Sequence, residues 1–96
     1  MKVIVSYDVS TLSKEGRRRL RRAARICKDY GVRVQYSVFE CSVTDTEWVK
    51  LRAGLLNLID ETEDSLRLYR LSEDDAQKTE HFGVRVPMDP DGPLVV

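Results

Sequence analysis

Apolar and polar residues are spaced along the first third of the chain in a way that predicts a strand followed by a helix. Residues 2–9 form an apolar, β-prone run that ends in a tyrosine and a carboxylate, which predicts a first strand. In residues 15–29 apolar side chains recur at i, i+3, i+4 and i+7, so a helix with one narrow apolar stripe is predicted. Gly31 follows and suits the left-handed residue that ends a helix.

The middle of the chain predicts a second strand and a second helix. Apolar and polar residues alternate across residues 32–43, as in a half-buried strand, and the alternation slips at Phe39 and Glu40. We therefore expect a bulge or a strong bend at those two residues. Thr44 and Glu47 have the spacing of a capping box, which predicts that a helix over residues 45–59 begins there.

The last third of the chain predicts two shorter strands and an irregular tail. Strands are predicted at residues 65–71 and 81–86, and the polar, acidic residues 72–80 between them predict a loop or a short helical turn. Residues 87–93 contain three prolines and a glycine and are not expected to form regular structure. Residues 94–96 are apolar, which a solvent-exposed tail does not need.

We assign the chain to the ferredoxin-like pattern of the α+β class, β-α-β-β-α-β, with a tail strand added. Two helices would cover one face of a four-stranded antiparallel sheet. Because the first strand is apolar on both sides, the other face needs a cover, and a second copy of the chain is the simplest one. We therefore predict one domain over residues 1–96, with a core at 1–86. Residues 87–96 would form a linker and a C-terminal strand exchanged in a homodimer.

Length and composition restrict the class of protein. A chain of 96 residues, 42% hydrophobic, forms one domain that has little room for a deep pocket and is too apolar to be disordered. No apolar run approaches a membrane span and no signal peptide opens the chain, so a cytoplasmic protein without a membrane partner is expected. In that setting Cys27 and Cys41 are expected to be reduced, buried thiols. Nucleophilic serine and phosphate-loop motifs are absent from the sequence.

The formal net charge of zero hides a strong asymmetry. Residues 1–39 carry ten Lys or Arg and three acids, a net of +7, whereas residues 40–96 carry six and thirteen, a net of −7. Six arginines fall within residues 17–25 with almost no acid at i+4, and arginine suits bidentate phosphate contacts. The alternative is an ordinary solvated helix face. The candidates for contact with a DNA or RNA backbone are Arg17, Arg18, Arg21, Arg22, Arg25 and, on the second strand, Arg33.

Asp8 lies where the first strand ends and a connection begins, a usual place for functional residues. Spacing alone favours a carboxylate that caps the following turn. The functional alternative is a ligand for Mg²⁺, which keeps most of its waters and often takes only one or two carboxylates. In a two-fold dimer, two copies of Asp8 could share one ion, which could activate water and neutralise charge on a phosphodiester.

Three segments together resemble the CRISPR-associated protein two family: residues 6–9 (SYDV), 31–41 (GVRVQYSVFEC) and 64–69 (DSLRLY). The resemblance implies a ferredoxin-like homodimer in which Asp8 binds a divalent metal, Mg²⁺ or alternatively Mn²⁺, at the interface. It also implies endonuclease activity on single-stranded RNA or double-stranded DNA. Members of this family bridge two dimers of the CRISPR integrase when new spacers are captured, so integrase and nucleic acid are the expected partners.

Two functions therefore remain open from the sequence. The first is a metal-dependent endonuclease in which Asp8 is both the catalytic residue and the metal ligand. The alternative is a non-catalytic scaffold that binds DNA backbone and integrase. The acidic residues 60–64 and 73–75 are expected to be exposed, and either stretch could contact a basic surface of the integrase.

Overall fold

The computed structural model describes residues 1–84, in which four strands form one antiparallel sheet in the order β2-β3-β1-β4. β1 is a central strand, paired with β3 on one side and with β4 on the other. The α+β class and the antiparallel ferredoxin-like sheet are thereby confirmed. In chain order the elements are β1 (Lys2–Asp8), α1 (Lys14–Lys28), β2 (Gly31–Gln35), β3 (Val38–Ser42), α2 (Asp45–Leu58), β4 (Ser65–Leu71) and α3 (Glu73–Ala76).

The core lies between one face of the sheet and the helices α1 and α2. Val3 and Val5 of β1 are fully buried there, with Phe39 of β3 and with Leu51 and Leu55 of α2. Alternate residues of a strand point to opposite faces, so Ile4 of β1 lies on the other face, opposite Glu40 and Tyr69. Lys2, Ser6 and Asp8 share that face with Ile4, so the prediction that the first strand is apolar on both sides holds only at Ile4.

Local sequence signals placed both long helices to within one residue. The capping box of α2 is complete, because the Glu47 amide donates to Thr44 Oγ1 at 3.1 Å and the Thr44 amide donates to Glu47 Oε1 at 2.9 Å. α1 begins after Ser13, whose hydroxyl accepts from the Gly16 amide at 3.0 Å. The strand predicted at residues 65–71 and the helical turn predicted within 72–80 are also present.

Residues 32–43 form a hairpin rather than one bent strand. The break falls at Tyr36 and Ser37, which form the turn between β2 and β3, and the register shifts between Arg33 and Gln35. The bulge or strong bend predicted at Phe39 and Glu40 is found on the neighbouring strand instead, because the register shift lies in β2 between Arg33, which pairs with Phe39, and Gln35, which pairs with Val38. Phe39 is fully buried opposite Val5, so core packing keeps it inside a regular strand, and the exposed Tyr36 forms the turn instead.

The strand predicted at residues 81–86 is not formed in its described part. His81, Phe82, Gly83 and Val84 are exposed and irregular, and Gly83 has a φ of +105°, which a regular strand does not accommodate. The fourth strand of the sheet comes instead from the division of residues 32–43. Residues 85–96, with the predicted linker and exchanged tail strand, lie outside the described residues. Within residues 1–84, no helix has the length and apolar character needed to cross a membrane.

Candidate metal-binding and nucleic-acid-binding site

Asp8 is the last residue of β1, and its side chain is exposed. It pairs with Ser65 of β4, whereas the pairing of β1 with β3 ends two residues earlier, at Ser6. Asp8 follows Tyr7, which points toward the helices, so Asp8 belongs to the face that the helices leave uncovered. Within residues 1–84 its carboxylate has no hydrogen bond and no ion pair.

The turn after β1 is capped by Asp64 rather than by Asp8. The Ser10 amide donates to Asp64 Oδ1 at 3.1 Å, and the Asp60 amide donates to Asp64 Oδ2 at 2.9 Å. Arg19 of α1 adds a bidentate contact, from Nε to Oδ2 at 2.7 Å and from Nη2 to Oδ1 at 3.2 Å. The capping role that spacing favoured for Asp8 therefore belongs to a carboxylate 54 residues away from Ser10 in the sequence.

Asp64 supports the turn beside Asp8, a role for which the sequence gives no local signal. Its side chain is 0% exposed, and the Arg19 guanidinium, through its hydrogen bonds, holds the pKa of Asp64 below its usual range. Arg19 also contacts Glu63 at 3.3 Å. The expectation that residues 60–64 form an exposed acidic loop is wrong for Asp64. Arg19 neutralises the charge of Asp64 inside the molecule. The Asp64 carboxylate thereby links the loop after β1 and the helix α1 to the start of β4.

Asp8 is suited to a hydrated ion site. No group of three or more His, Cys, Asp or Glu side chains that could hold a metal occurs in the described part of the chain. A zinc-type cage of protein ligands therefore does not fit these residues. An exposed, unpaired carboxylate does fit Mg²⁺, which retains waters and takes one or two carboxylates.

The arginines of α1 form the outer surface of the helical layer. Arg18, Arg21, Arg22 and Arg25 are exposed, and none of them has an acidic partner among residues 1–84. Arg17 is exposed and donates from Nη1 to the Thr11 carbonyl at 3.1 Å. These five arginines are on the opposite side of the sheet from Asp8. Arg17, at the start of α1, is held close to the loop that follows Asp8, whereas the other four continue along the helix.

Arg33 points toward α1 and is half-buried. Its guanidinium carbon lies 5.1 Å from the centre of the Phe39 ring and 5.8 Å from that of Tyr36. It lines a surface cleft between α1 and β2 together with Arg21 and Arg25. Arg33 therefore lies beside the arginines of α1, but it is on the same face of the sheet as the buried Phe39 and packs on an aromatic ring rather than standing free in solvent.

The fold, the strand-end carboxylate and the basic helix describe a small ferredoxin-like protein with a candidate ion site and a polyanion-binding surface. A family model described as "CRISPR associated protein Cas2" matches residues 1–79. The chain belongs to this Cas2 family, which confirms the resemblance identified from its three segments.

Similar proteins cover the chain nearly end to end. "CRISPR-associated endoribonuclease Cas2" of Chlorobaculum tepidum is 51% identical over 96 residues, which are 100% of both chains. "CRISPR-associated endonuclease Cas2" of Halalkalibacterium halodurans is 47% identical over 95 residues, 99% of both. The crystal structure of Streptococcus pyogenes Cas2 at pH 6.5 has a TM-score of 0.77 and 49% identity, and it covers 86% of this chain and 100% of that one.

Proposed function

We propose that this protein is a metal-dependent endonuclease of the CRISPR adaptation machinery that hydrolyses phosphodiester bonds in RNA or DNA in the cytoplasm. The observation that carries this proposal is the unpaired, exposed Asp8 at the end of a central strand, while Asp64 caps the adjoining turn. The names of the relatives support nuclease chemistry, because one is called an endoribonuclease and another an endonuclease.

Asp8 would hold Mg²⁺ or Mn²⁺ through a carboxylate oxygen. When bound, the ion would activate water and neutralise charge on the phosphodiester. The chain's own contribution is the placement of that carboxylate, since pairing with β4 as far as Ser65 fixes the end of β1. Arg18, Arg22 and their neighbours would bind backbone phosphates without reading the base sequence.

A homodimer would complete the ion site. Asp8 lies on the uncovered face of the sheet, which also carries Ile4 and Tyr69, and Tyr69 is 44% exposed. A second copy that covers this face would bring its own Asp8 to the same interface, so two carboxylates would be available for one ion. Integration of new spacers would then involve the dimer together with the integrase.

The test is cleavage by the Asp8→Asn variant. We expect at least a hundredfold loss of cleavage of single-stranded RNA or double-stranded DNA with Mg²⁺ or Mn²⁺, with no loss of folded protein, because Asp8 has no partner in the described chain. Asp29→Asn is the matched control, since Asp29 is an exposed carboxylate outside the site. Cleavage by Asp8→Asn at the wild-type rate would contradict the proposal. So would the absence of cleavage by the wild-type protein with both metals across a broad pH range.

The second candidate function is a non-catalytic scaffold that binds DNA backbone and bridges two integrase dimers. It is favoured by the row of exposed arginines on α1, which is on the opposite side of the protomer from Asp8. Spacer acquisition separates the two functions. If Asp8→Asn abolishes cleavage and keeps acquisition, while a double Arg18→Gln, Arg22→Gln variant loses acquisition, the scaffold carries the biological role.

A further inference from the structure

A cleft of about 300 Å³ lies between α1 and β2, on the helical side of the sheet. Arg21 and Arg25 of α1 line one wall, and Arg33 and Tyr36 of β2 and its turn line the other, with Tyr7 of β1 also in the lining. Its volume is at the small end of ligand-binding clefts, which are about 300–1,000 Å³. A duplex does not fit a cleft of this size, but one nucleotide does.

Two buried polar groups in this cleft have no partner in the described residues. They are the Tyr7 hydroxyl and Arg33 Nε, and the Tyr7 residue is only 4% exposed. Burial raises the pKa of Tyr7 more than the neighbouring Arg33 guanidinium lowers it, so the hydroxyl keeps its proton at neutral pH. A guanidinium offers only donors, and buried donors without partners are costly. Arg33 is close enough to Tyr7 for a hydrogen bond from its guanidinium to lower the pKa of Tyr7, but the Tyr7 hydroxyl proton itself has no acceptor among the described residues. An anionic oxygen is the acceptor that the surrounding arginines favour.

Tyr36 provides an aromatic surface at the edge of the cleft. Its ring is 80% exposed, and the Arg33 guanidinium lies 5.8 Å from the ring centre. An exposed aromatic ring beside a cluster of arginines is the arrangement with which proteins bind single-stranded nucleic acid. In such sites the arginines bind the phosphate, and the base stacks on the aromatic ring without sequence preference.

We propose that this cleft binds one unpaired nucleotide, with its phosphate among Arg21, Arg25 and Arg33 and its base stacked on Tyr36. The Tyr7 hydroxyl donates to a phosphate oxygen. This inference deepens the proposed nucleic-acid function, because it assigns a site for an unstacked base that is separate from the exposed phosphate-binding arginines Arg18 and Arg22. The substrates that the cleft favours are single strands, strand ends and splayed bases.

The first experiment measures binding of three probes to the full-length protein by calorimetry in EDTA. The probes are AMP, ribose 5-phosphate and inorganic phosphate. We expect AMP to bind at least about tenfold more tightly than ribose 5-phosphate, because stacking of one base contributes on that scale. Equal affinities for AMP and ribose 5-phosphate would reduce the site to an anion site and overturn the proposal. So would the absence of AMP binding up to about 10 mM.

Substitutions separate the stacking contact from the phosphate contact. Tyr36→Ala should lower AMP affinity to that of ribose 5-phosphate and leave ribose 5-phosphate unchanged. Tyr69→Ala is the matched control, since Tyr69 is a partly exposed tyrosine on the opposite face of the sheet. Tyr7→Phe should weaken the binding of all three probes severalfold without destabilising the free protein, because the hydroxyl that it removes donates to no acceptor among the described residues. If Tyr36→Ala binds AMP like the wild type, the base does not stack there and the proposal is wrong.

The outcome is independent of the nuclease proposal. Because the titration contains no divalent metal, Asp8→Asn should bind AMP as the wild type does. AMP binding by a protein that shows no cleavage would leave the nucleotide cleft in place and remove the endonuclease. Cleavage by a protein that binds no AMP would support the endonuclease and overturn the nucleotide cleft.

Discussion

Replacement of Asp64 by asparagine should destabilise the protein by about 3 kcal/mol. Each carboxylate oxygen accepts two hydrogen bonds, so whichever oxygen becomes an amide nitrogen loses both and faces two buried donors. A buried donor left unpaired costs about 1–3 kcal/mol, and loss of one partner of a buried ion pair costs a similar or larger amount. The expected loss is a large fraction of a typical total stability of about 5–15 kcal/mol.

The effect should depend on pH in a defined direction. The folded protein lowers the pKa of Asp64 from 3.8, mainly through the hydrogen bonds from Arg19. The stabilisation is therefore fully present above the unfolded pKa and is lost as the pH falls through the folded value. The difference in free energy of unfolding between wild type and Asp64→Asn should be constant from neutral pH to about pH 5 and should shrink below about pH 4.

The measurement is urea unfolding followed by Trp48 fluorescence and circular dichroism at one fixed protein concentration. Glu61→Gln is the matched control, because Glu61 is an exposed acid in the same turn, and it should change stability by less than about 0.5 kcal/mol. A double-mutant cycle with Arg19→Gln should give a coupling above about 1 kcal/mol. The reasoning is refuted if Asp64→Asn is as stable as Glu61→Gln at neutral pH, or if its deficit is undiminished at pH 3.

Three further predictions follow from packing, charge and burial. A Cβ at Gly16 would lie 1.9 Å from a backbone oxygen, so Gly16→Ala should cost more than about 2 kcal/mol in urea unfolding. Gly54→Ala should instead be neutral or stabilising by up to about 1 kcal/mol, since its Cβ would make ordinary contacts at 3.6 Å. Arg22→Gln should reduce the salt dependence of nucleic-acid binding by about one unit of the log–log slope, measured by fluorescence anisotropy. Burial raises the pKa of Cys27 to about 12 and of Cys41 to about 11, so both thiols should react with a disulfide reagent at mildly alkaline pH only after unfolding.

Each of these predictions has a clear contrary result. Equal stabilities for the two glycine variants would mean that the start of α1 can move away from the loop after β1. An unchanged salt slope for Arg22→Gln would remove that residue from the phosphate-binding surface. Rapid reaction of either thiol in the native protein would show that the core opens readily near the reacting cysteine.

The elements with local signals could be predicted from the sequence. The capping pair Thr44 and Glu47 fixed the start of α2, and the alternation in residues 65–71 gave β4 its bounds. The turn at Tyr36 and Ser37 could not be placed in the same way, because Tyr36 is not a turn residue and a single serine is only a weak turn signal. Burial of Phe39 against Val5, a contact between distant segments, decides where that turn falls.

The exposed residue of the candidate site could be predicted from the sequence. The residues that hold the neighbouring turn in place could not. Asp8 could be found as a carboxylate at a strand end, and both alternatives for it were visible. The choice between them depends on Asp64, which is 54 residues from Ser10 and 45 from Arg19. No pattern within a single helix or strand reports a contact at that separation. For the same reason Arg19 could not be distinguished from the exposed arginines beside it.

The central position of β1 has a consequence for how the protein is made. β1 leaves the ribosome first, but one of its two neighbours in the sheet is β4, and the end that carries Asp8 pairs with β4 alone. The cap from Asp64 reaches Ser10 from that same late segment. A nascent chain that has not yet released residues 64–71 can therefore form the β2–β3 hairpin and both long helices while the end of β1 is still unsupported. An early strand is therefore completed by a late one, and the end of β1 that carries Asp8 is held in place only after residues 64–71 have been made.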